Sequence, residues 1–409
     1  MKKEFHINIS RLRSSMETMG KVGIIDDSPG RSRIALTSQD KDGRDLFVSM
    51  LSSEGLDVRV DPIGNIWGIR AGRTDALPVM MGSHLDSVAN AGIFDGSLGV
   101  LAGLEVIRTL NEHGIETEKP LAVASFTNEE GARFQPDMMG SMVASGCYPL
   151  EDALQARDDK GISVEAALKE IGYAGNDRLQ ASSYLELHVE QGPVLDREKI
   201  QIGVVKGIQG IAWWHGTYTG EANHAGTTPL DYRKDSLLAA SELCCEMRLL
   251  AEKIGAGALA TVGRIHPYPD IINVIASQTW FSLDFRHYDR TVFEEGKKEV
   301  EGLVRRIARQ HGVSCKLEQV ANALPVSFPL SMVQMVERHA RKSGYSLAPI
   351  VSGAGHDAQF MHRMCPSAMI FVPSRNGRSH CPEEYTSWED IERGTNLLLR
   401  CILELGCSL

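Results

Sequence analysis

The chain has 409 residues, which at roughly 100–200 residues per domain suggests two or three domains. Hydrophobic residues make up 43% and charged residues 23%, so a large core can form without disulfide staples. Lys and Arg number 43 against 53 Asp and Glu, a formal net charge of −10, which argues against a broad nucleic-acid surface and leaves room for a local basic pocket.

No apolar run approaches the ~20 residues of a membrane span, and Met1–Ser15 lacks the apolar core of a secretory signal. The expected location is the cytoplasm, with neither membrane nor nucleic acid as partner. The eight cysteines are scattered and form no CxxC pair, which argues against a structural thiolate zinc site.

In chain order, residues 1–56 read as helices, with apolar positions at helical spacing near Leu36 to Leu51 and Gly55 as the stop. Val58–Val60 and Asn65–Ile69 read as short strands around the turn Asp61-Pro62-Ile63-Gly64. Val79–Gly82, Leu121–Phe126, Tyr184–His188 and Met369–Val372 are apolar runs of buried-strand type, and Ser97–His113 is a long apolar helix stopped by Gly114. Helix and strand alternate, so this part is expected to be an α/β layer on a mixed, mostly parallel sheet with flanking helices. The stretch 211–323 reads differently: strand Ile211–Tyr218, helix Arg233–Ile254, strands Leu259–Ile265 and Gln278–Phe285, helix Glu294–His311, strand Ser314–Leu317. That pattern predicts an inserted α+β domain.

Polar residues gather where the apolar strands end, which is where open α/β sheets place ligands. His84 and Asp86 stand two apart in Gly82-Ser83-His84-Leu85-Asp86-Ser87. In extended backbone both would face one way, and Asp86 would suit a carboxylate that orients a metal-binding imidazole. Asp95, in Phe94-Asp95-Gly96, opens the next helix. Glu129 and Glu130 close the Leu121–Phe126 strand. Two adjacent carboxylates are costly to bury unless positive charge compensates them, which a metal would do. Neighbours also project differently, so one can bind metal while the other takes a proton from water. Glu186–Pro193 and Ser379–Glu384 supply two further clusters. Imidazole and carboxylate ligands without thiolates suit Zn²⁺, Mn²⁺, Co²⁺ or Ni²⁺. Singly, a strand-end His is an ordinary hydrogen-bonded residue, a Glu-Glu pair a solvated turn, and an Asp before Gly-Ser a helix cap. Four such clusters, each closing a strand or opening a helix, point together to a metal site.

These segments, with Glu129-Glu130-Gly131-Ala132-Arg133-Phe134 and His224-Ala225-Gly226-Thr227-Thr228-Pro229, occur in an order that closely resembles the hydantoinase/carbamoylase amidases from about residue 20 to residue 405. These are two-metal hydrolases of the M20 type, among them N-carbamoyl-L-amino acid hydrolases, β-ureidopropionases and allantoate amidohydrolases. The resemblance implies a two-metal aminopeptidase-like catalytic domain, 1–210 with 324–409. It also implies a lid and dimerisation domain, 211–323, that pairs two chains into a homodimer. Two divalent ions per subunit are implied, zinc first, with manganese, cobalt or nickel as alternatives. Asp95 would bridge them, His84 and His188 would complete one site, and Glu130 and His380 the other. Glu129 would be the general base that activates a metal-bridging water. Asp86 would orient His84, and His224 would be the lid histidine that stabilises the oxyanion and reaches the substrate. Gln191, Gln209, Asn273, Arg286, Gly355 and His356 match substrate-binding positions. Arg286 suits a carboxylate through bidentate pairing, and at His356 the backbone of its glycine loop is expected to matter more than the ring.

The implied reaction cleaves the terminal carbamoyl C–N bond of an N-carbamoyl-L-amino acid to give amino acid, ammonia and CO₂. Gly82–Phe134 leans towards the L-carbamoylases. Asn223–Pro229 and Asp284–His287 lean towards allantoate amidohydrolases or β-ureidopropionases, which makes allantoate or N-carbamoyl-β-alanine the alternative substrate. Ala276 stands where the family commonly has Pro, and Cys381 follows His380 where Asn is usual; neither replaces a ligand. A serine hydrolase would need a Gly-x-Ser-x-Gly elbow, which is absent. Gly255-x-Gly257-x-x-Ala260 precedes a strand instead of opening a helix, so it is no dinucleotide motif. A non-catalytic relative would lack a ligand or the base, and all are present.

Overall fold

The most apolar runs of the chain become strands buried on both faces. The computed structural model describes residues 5–255 and 257–407, so the first four residues of the expected helical stretch lie outside it. The strands are β1 (Asp57–Val60), β2 (Ile66–Arg70), β3 (Val79–His84), β4 (Leu121–Phe126), β5 (Ser183–Val189), β6 (Ile202–Ile208), β7 (Gly210–Thr219), β8 (Leu259–Tyr268), β9 (Gln278–His287), β10 (Ser314–Ala323), β11 (Val326–Ser327), β12 (Leu347–Ser352) and β13 (Ser367–Val372). Two compact units result: residues up to Lys206 with those from Phe328 onward, and Gly207–Ser327. The second is slightly wider than the expected 211–323 because β6 runs on to Ile208, where it pairs with β11.

The large sheet has the order β1-β2-β4-β3-β5-β13-β6-β11, with β12 beside β6. Its centre, β4-β3-β5-β13, is parallel. β2 and β6 flank it antiparallel, and β1 pairs antiparallel with β2. Every residue of β3, β4, β5 and β13 is buried, as expected for parallel strands covered by helices. The helix Ser97–Glu112 packs close over β3 and β5 because of glycine: a Cβ on Gly99 would lie 2.8 Å from Ser83 Cβ and 2.7 Å from the Leu187 carbonyl oxygen.

The second unit is a four-stranded antiparallel sheet, β10-β7-β9-β8. β7 and β9 alternate buried and more exposed residues, the mark of a sheet covered on one face. The helices Ser236–Ile254 and Arg290–Gln310 contribute to the cover, each capped by an Asp that accepts two backbone N–H groups (Asp235, Asp289). Trp214, Tyr218, Leu243, Met247, Phe281, Phe285, Phe293 and Val304 form the core between sheet and helices. Among the described residues, no helix is long and apolar enough to cross a membrane.

Candidate metal centre

The parallel register pairs His84 with Phe126 and His188 with Phe371, so the four central strands finish at one edge. His84 is the last residue of β3, and His188 the next-to-last of β5. Thr127–Glu130 turns off the end of β4, and the loop after β13 carries Ser379-His380. Asp95 precedes Gly96, which caps the helix Ser97–Glu112 with φ 62°. A Cβ on Gly96 would fall 2.4 Å from the His84 ring, so only glycine allows Asp95 and His84 to approach this closely.

Asp95 is the centre of the cluster. Its Oδ1 lies 3.2 Å from His188 Nε2 and 3.6 Å from His84 Nε2. Its Oδ2 lies 3.2 Å from His380 Nε2. Glu130 Oε2 is 3.3 Å from the same His380 nitrogen, and Glu129 Oε2 is 3.3 Å from His84 Nε2. The Nδ1 atoms of His84 and His188 donate to the backbone carbonyls of Asp86 and Val189, both at 2.9 Å. That turns each Nε2 towards Asp95, where it donates a hydrogen bond when protonated and would offer its lone pair to a metal. Lone pairs cannot face carboxylate oxygens at this distance without a proton or a cation between them. The cavity here, about 120 Å³, is lined by no lysine or arginine.

Two ligand sets follow, and they share one residue: His84-Asp95-His188 and Asp95-Glu130-His380. Hard and borderline donors in sets joined by one carboxylate fit a pair of divalent ions. A third grouping, Glu186-His188-His356, competes for His188, whose Nδ1 is already committed to Val189.

The electrostatics carry the same message. Burial pushes Glu129 well above the usual carboxylate range, with Asp357 and Glu130 adding to it. Burial and the Asp95 charge push Glu130 up to about 7. Burial opposes ionisation of Asp95, yet hydrogen bonds from His188, His380 and His84 hold it well below the usual range. The bond to Asp95 lifts His380 to about 9. A cation bound among these buried acids and imidazoles would compensate their charge.

One expectation needs correction. The Asp86 carboxylate does not orient His84; its backbone carbonyl does. β3 ends at His84, so the same-face rule of extended backbone stops there. The Asp86 carboxylate instead accepts the N–H groups of Glu129 and Glu130, each at 3.2 Å.

The other expected positions fall as follows. Gln191 Nε2 donates to Asp95 Oδ2 at 2.9 Å and lies 3.2 Å from His380 Nε2, within the cluster itself. Gly355 lines the cavity. The His356 ring is buried edge-on against His188, 4.5 Å between centroids, with Nε2 2.9 Å from the Ser352 hydroxyl. Burial and the nearby His188 hold it well below the usual histidine range, hence neutral. In the second unit His224 and Asn273 are brought together: Ala225 N–H donates to the Asn273 carbonyl at 2.9 Å, and Ile275 N–H to that of Asn223 at 2.8 Å. His224 Nδ1 accepts the Gly226 N–H at 3.0 Å, which leaves Nε2 as the protonated nitrogen. Arg286 is gripped by its strand neighbour Asp284, at 2.8–3.1 Å. The Gln209 side-chain oxygen is buried without a hydrogen-bond partner among the described residues.

Several residues of the site carry no sequence signal of their role. Glu384 accepts the N–H groups of Phe94 and Asp95. Glu186, behind the imidazoles, accepts from the Ser83 hydroxyl and the Ala358 N–H. Asn65 accepts the Thr127 N–H at 2.9 Å and so fixes the start of the Glu129 turn. Glu384 and Glu186 could have been found only as the spare carboxylates of their clusters.

A carboxylate shared by two ligand sets, at the C-terminal edge of parallel strands, defines an α/β protein with a candidate two-ion centre. Residues 74–404 match the model for peptidase family M20/M25/M40, and the chain belongs to that family. It is 39% identical over 402 residues to an N-carbamoyl-L-amino-acid amidohydrolase of Rhizobium meliloti, covering 97% of this chain and 96% of that one. It is 34% identical over 383 residues to an allantoate amidohydrolase of Bacillus subtilis (strain 168), covering 92% and 93%. The crystal structure of an amidase of the hydantoinase/carbamoylase family from Burkholderia multivorans matches with a TM-score of 0.96 at 42% identity, covering 99% of each chain. The hydantoinase/carbamoylase reading of the motifs therefore holds, and the chain is a hydrolase acting on C–N bonds.

Proposed function

We propose that this chain is a metal-dependent N-carbamoyl-L-amino-acid amidohydrolase, cleaving the terminal carbamoyl group to give amino acid, ammonia and CO₂. One observation carries the mechanism: Asp95 belongs to both ligand sets, while Glu129, at the same edge, belongs to neither. The residues that would hold two divalent ions are His84, Asp95 and His188 for one and Asp95, Glu130 and His380 for the other. When bound, such ions lower the pKa of a water and stabilise a developing oxyanion. Glu129, buried at the cavity wall, takes the proton of the attacking water and passes it to the leaving nitrogen. Asp86 fixes the Glu129-Glu130 backbone so that one side chain serves as base and the other as ligand. Gln191 supplies an amide at the reacting centre. In the inserted unit, exposed His224 and its neighbour Asn273 serve the oxyanion and substrate, and Arg286 the carboxylate, which shares the guanidinium with Asp284.

The similarity to the Rhizobium meliloti enzyme supports the N-carbamoyl-L-amino acid as substrate. The similarity to the Bacillus subtilis enzyme keeps allantoate as the second reading. Eight free cysteines support a cytoplasmic location. Pairing through the inserted unit is supported by its exposed apolar side chains: it holds eleven of the fifteen large ones among the described residues.

The test is ammonia release by Zn²⁺- or Mn²⁺-loaded protein from N-carbamoyl-L-amino acids, N-carbamoyl-β-alanine and allantoate at equal concentration. The highest kcat/KM is expected with an N-carbamoyl-L-α-amino acid. Preference for allantoate would replace the substrate and keep the mechanism. Silence on all three, with metal bound, would reject the reading.

A further inference from the structure

We propose that Glu384, acting with Ser379, is a positioning residue that sets the affinity of the second ion, the one expected between Asp95, Glu130 and His380. The inference rests on the two-ion reading above. Glu384 is only 5% exposed. Its Oε2 accepts the backbone N–H of Phe94 at 3.0 Å and of Asp95 at 3.2 Å. Its Oε1 faces the Ser379 hydroxyl at 3.0 Å, and that hydroxyl also reaches Asp95 Oδ2 at 2.9 Å. One side chain thus ties together the two segments that carry Asp95 and His380, which lie at opposite ends of the chain. Room for it is built in: a Cβ on Gly92 would lie 2.3 Å from Glu384 Oε2.

The two ion sites differ in what holds their imidazoles. His84 and His188 lie within strands of the sheet, with side chains at most 2% exposed, and each donates Nδ1–H to a backbone carbonyl. His380 lies on a loop, its side chain is 49% exposed, and its backbone is left-handed at φ 55°. A non-glycine residue holds that conformation only when its surroundings fix it. The Ser379-Glu384 brace is the adjacent fixture, aided by the turn in which Glu384 N–H donates to the Cys381 carbonyl. Loss of the brace therefore strikes the second site harder than the first, which shares Asp95 but keeps two imidazoles held by the sheet. The chemistry of the brace is hydrogen bonding. Ser379 has one hydroxyl proton for two carboxylates. In Glu384→Gln the amide oxygen can accept the two N–H groups, and the amide N–H can donate to Ser379, leaving the hydroxyl proton to Asp95.

The experiment titrates the metal-stripped full chain with Zn²⁺ alone, against a chromogenic chelator, and checks stoichiometry by elemental analysis. Wild type is expected to bind two ions. Glu384→Ala should bind the first within about threefold of wild type and the second about 10–100-fold more weakly, the range for loss of an outer-shell partner. Glu384→Gln should restore the second constant to within about threefold. Ser379→Ala, which removes one hydroxyl, should show the same selective loss if Glu384→Ala fails to fold. In kinetics at limiting Zn²⁺ the Ala variants should lose kcat with little change in KM. Two unchanged constants, or equal weakening of both, would overturn the role of Glu384. Fewer than two ions on wild type would overturn the two-ion reading and this inference with it.

Discussion

Glu129 and Glu130 are neighbours in sequence with different surroundings. The Asp86 carboxylate accepts both of their N–H groups, after which Glu130 turns to His380 and Glu129 to His84. Glu129→Gln keeps the shape and removes the proton acceptor. Bound metal should stay as in wild type by elemental analysis, while kcat falls about 10²–10⁴-fold, the usual share of a general base. Turnover within a few-fold of wild type would assign the base elsewhere. The ligand types themselves were legible, because His, Asp and Glu close runs that are otherwise apolar. The work of Asp86 was not, since side-chain alternation holds only as far as β3 extends. Glu384 was illegible for another reason: its partners, Phe94 and Asp95, are far away in sequence, and no local spacing encodes that meeting.

At the scale of elements, the buried strands β3, β4, β5 and β13 were legible as continuous apolar runs. β6 and β12 were not. Gly203, Lys206 and Gly207 interrupt the apolar run of β6, and β12 contains Pro349. Antiparallel flanks around a parallel centre are equally invisible, because strand direction is set by connections and not by residue type. The Glu129 loop shows how elements support the site. Arg133, three residues past Glu130, donates Nε–H to Asp158 at 2.9 Å and Nη1–H to the carbonyls of Ala35 and Leu36. Burial opposes ionisation of Asp158, but the N–H groups of Ile162 and Lys160, with Arg133, hold its carboxyl below the usual 3.8. A depressed acid binds fewer protons folded than unfolded, so stability rises with pH through this range. The contribution is complete above about pH 5 and fades as pH falls through the native value. Asp158→Asn should therefore be less stable than wild type to urea at pH 7, and the gap should narrow towards pH 3. An equal gap at both values would show that the carboxylate charge plays no part.

The whole molecule separates the candidate metal ligands from most of the exposed large apolar side chains. The converging ligands all belong to the first unit, whereas most exposed large apolar side chains belong to Gly207–Ser327. The insertion was legible because its helices and antiparallel strands break the strand–helix alternation around it; its outer face was not, since an apolar residue reads alike whether it faces a core or a partner. On the helix Ser236–Ile254 the inward side carries Leu243 and Met247, fully buried. The outward side carries Leu238, Cys245 and Leu249, spaced seven and four apart, and so on one face of a helix. Leu238 and Leu249 are 56% and 54% exposed. An apolar stripe on water is unfavourable by about 25 cal/mol per Å² of surface left uncovered, and a second copy of the chain would cover it symmetrically. Light scattering should therefore give twice the chain mass at micromolar concentration. Leu238→Glu with Leu249→Glu should shift the protein towards monomer with little loss of thermal stability, because neither side chain contributes to the core. A dimer that persists unchanged in the double variant would place the contact on another face, and a monomeric wild type would remove the pairing altogether.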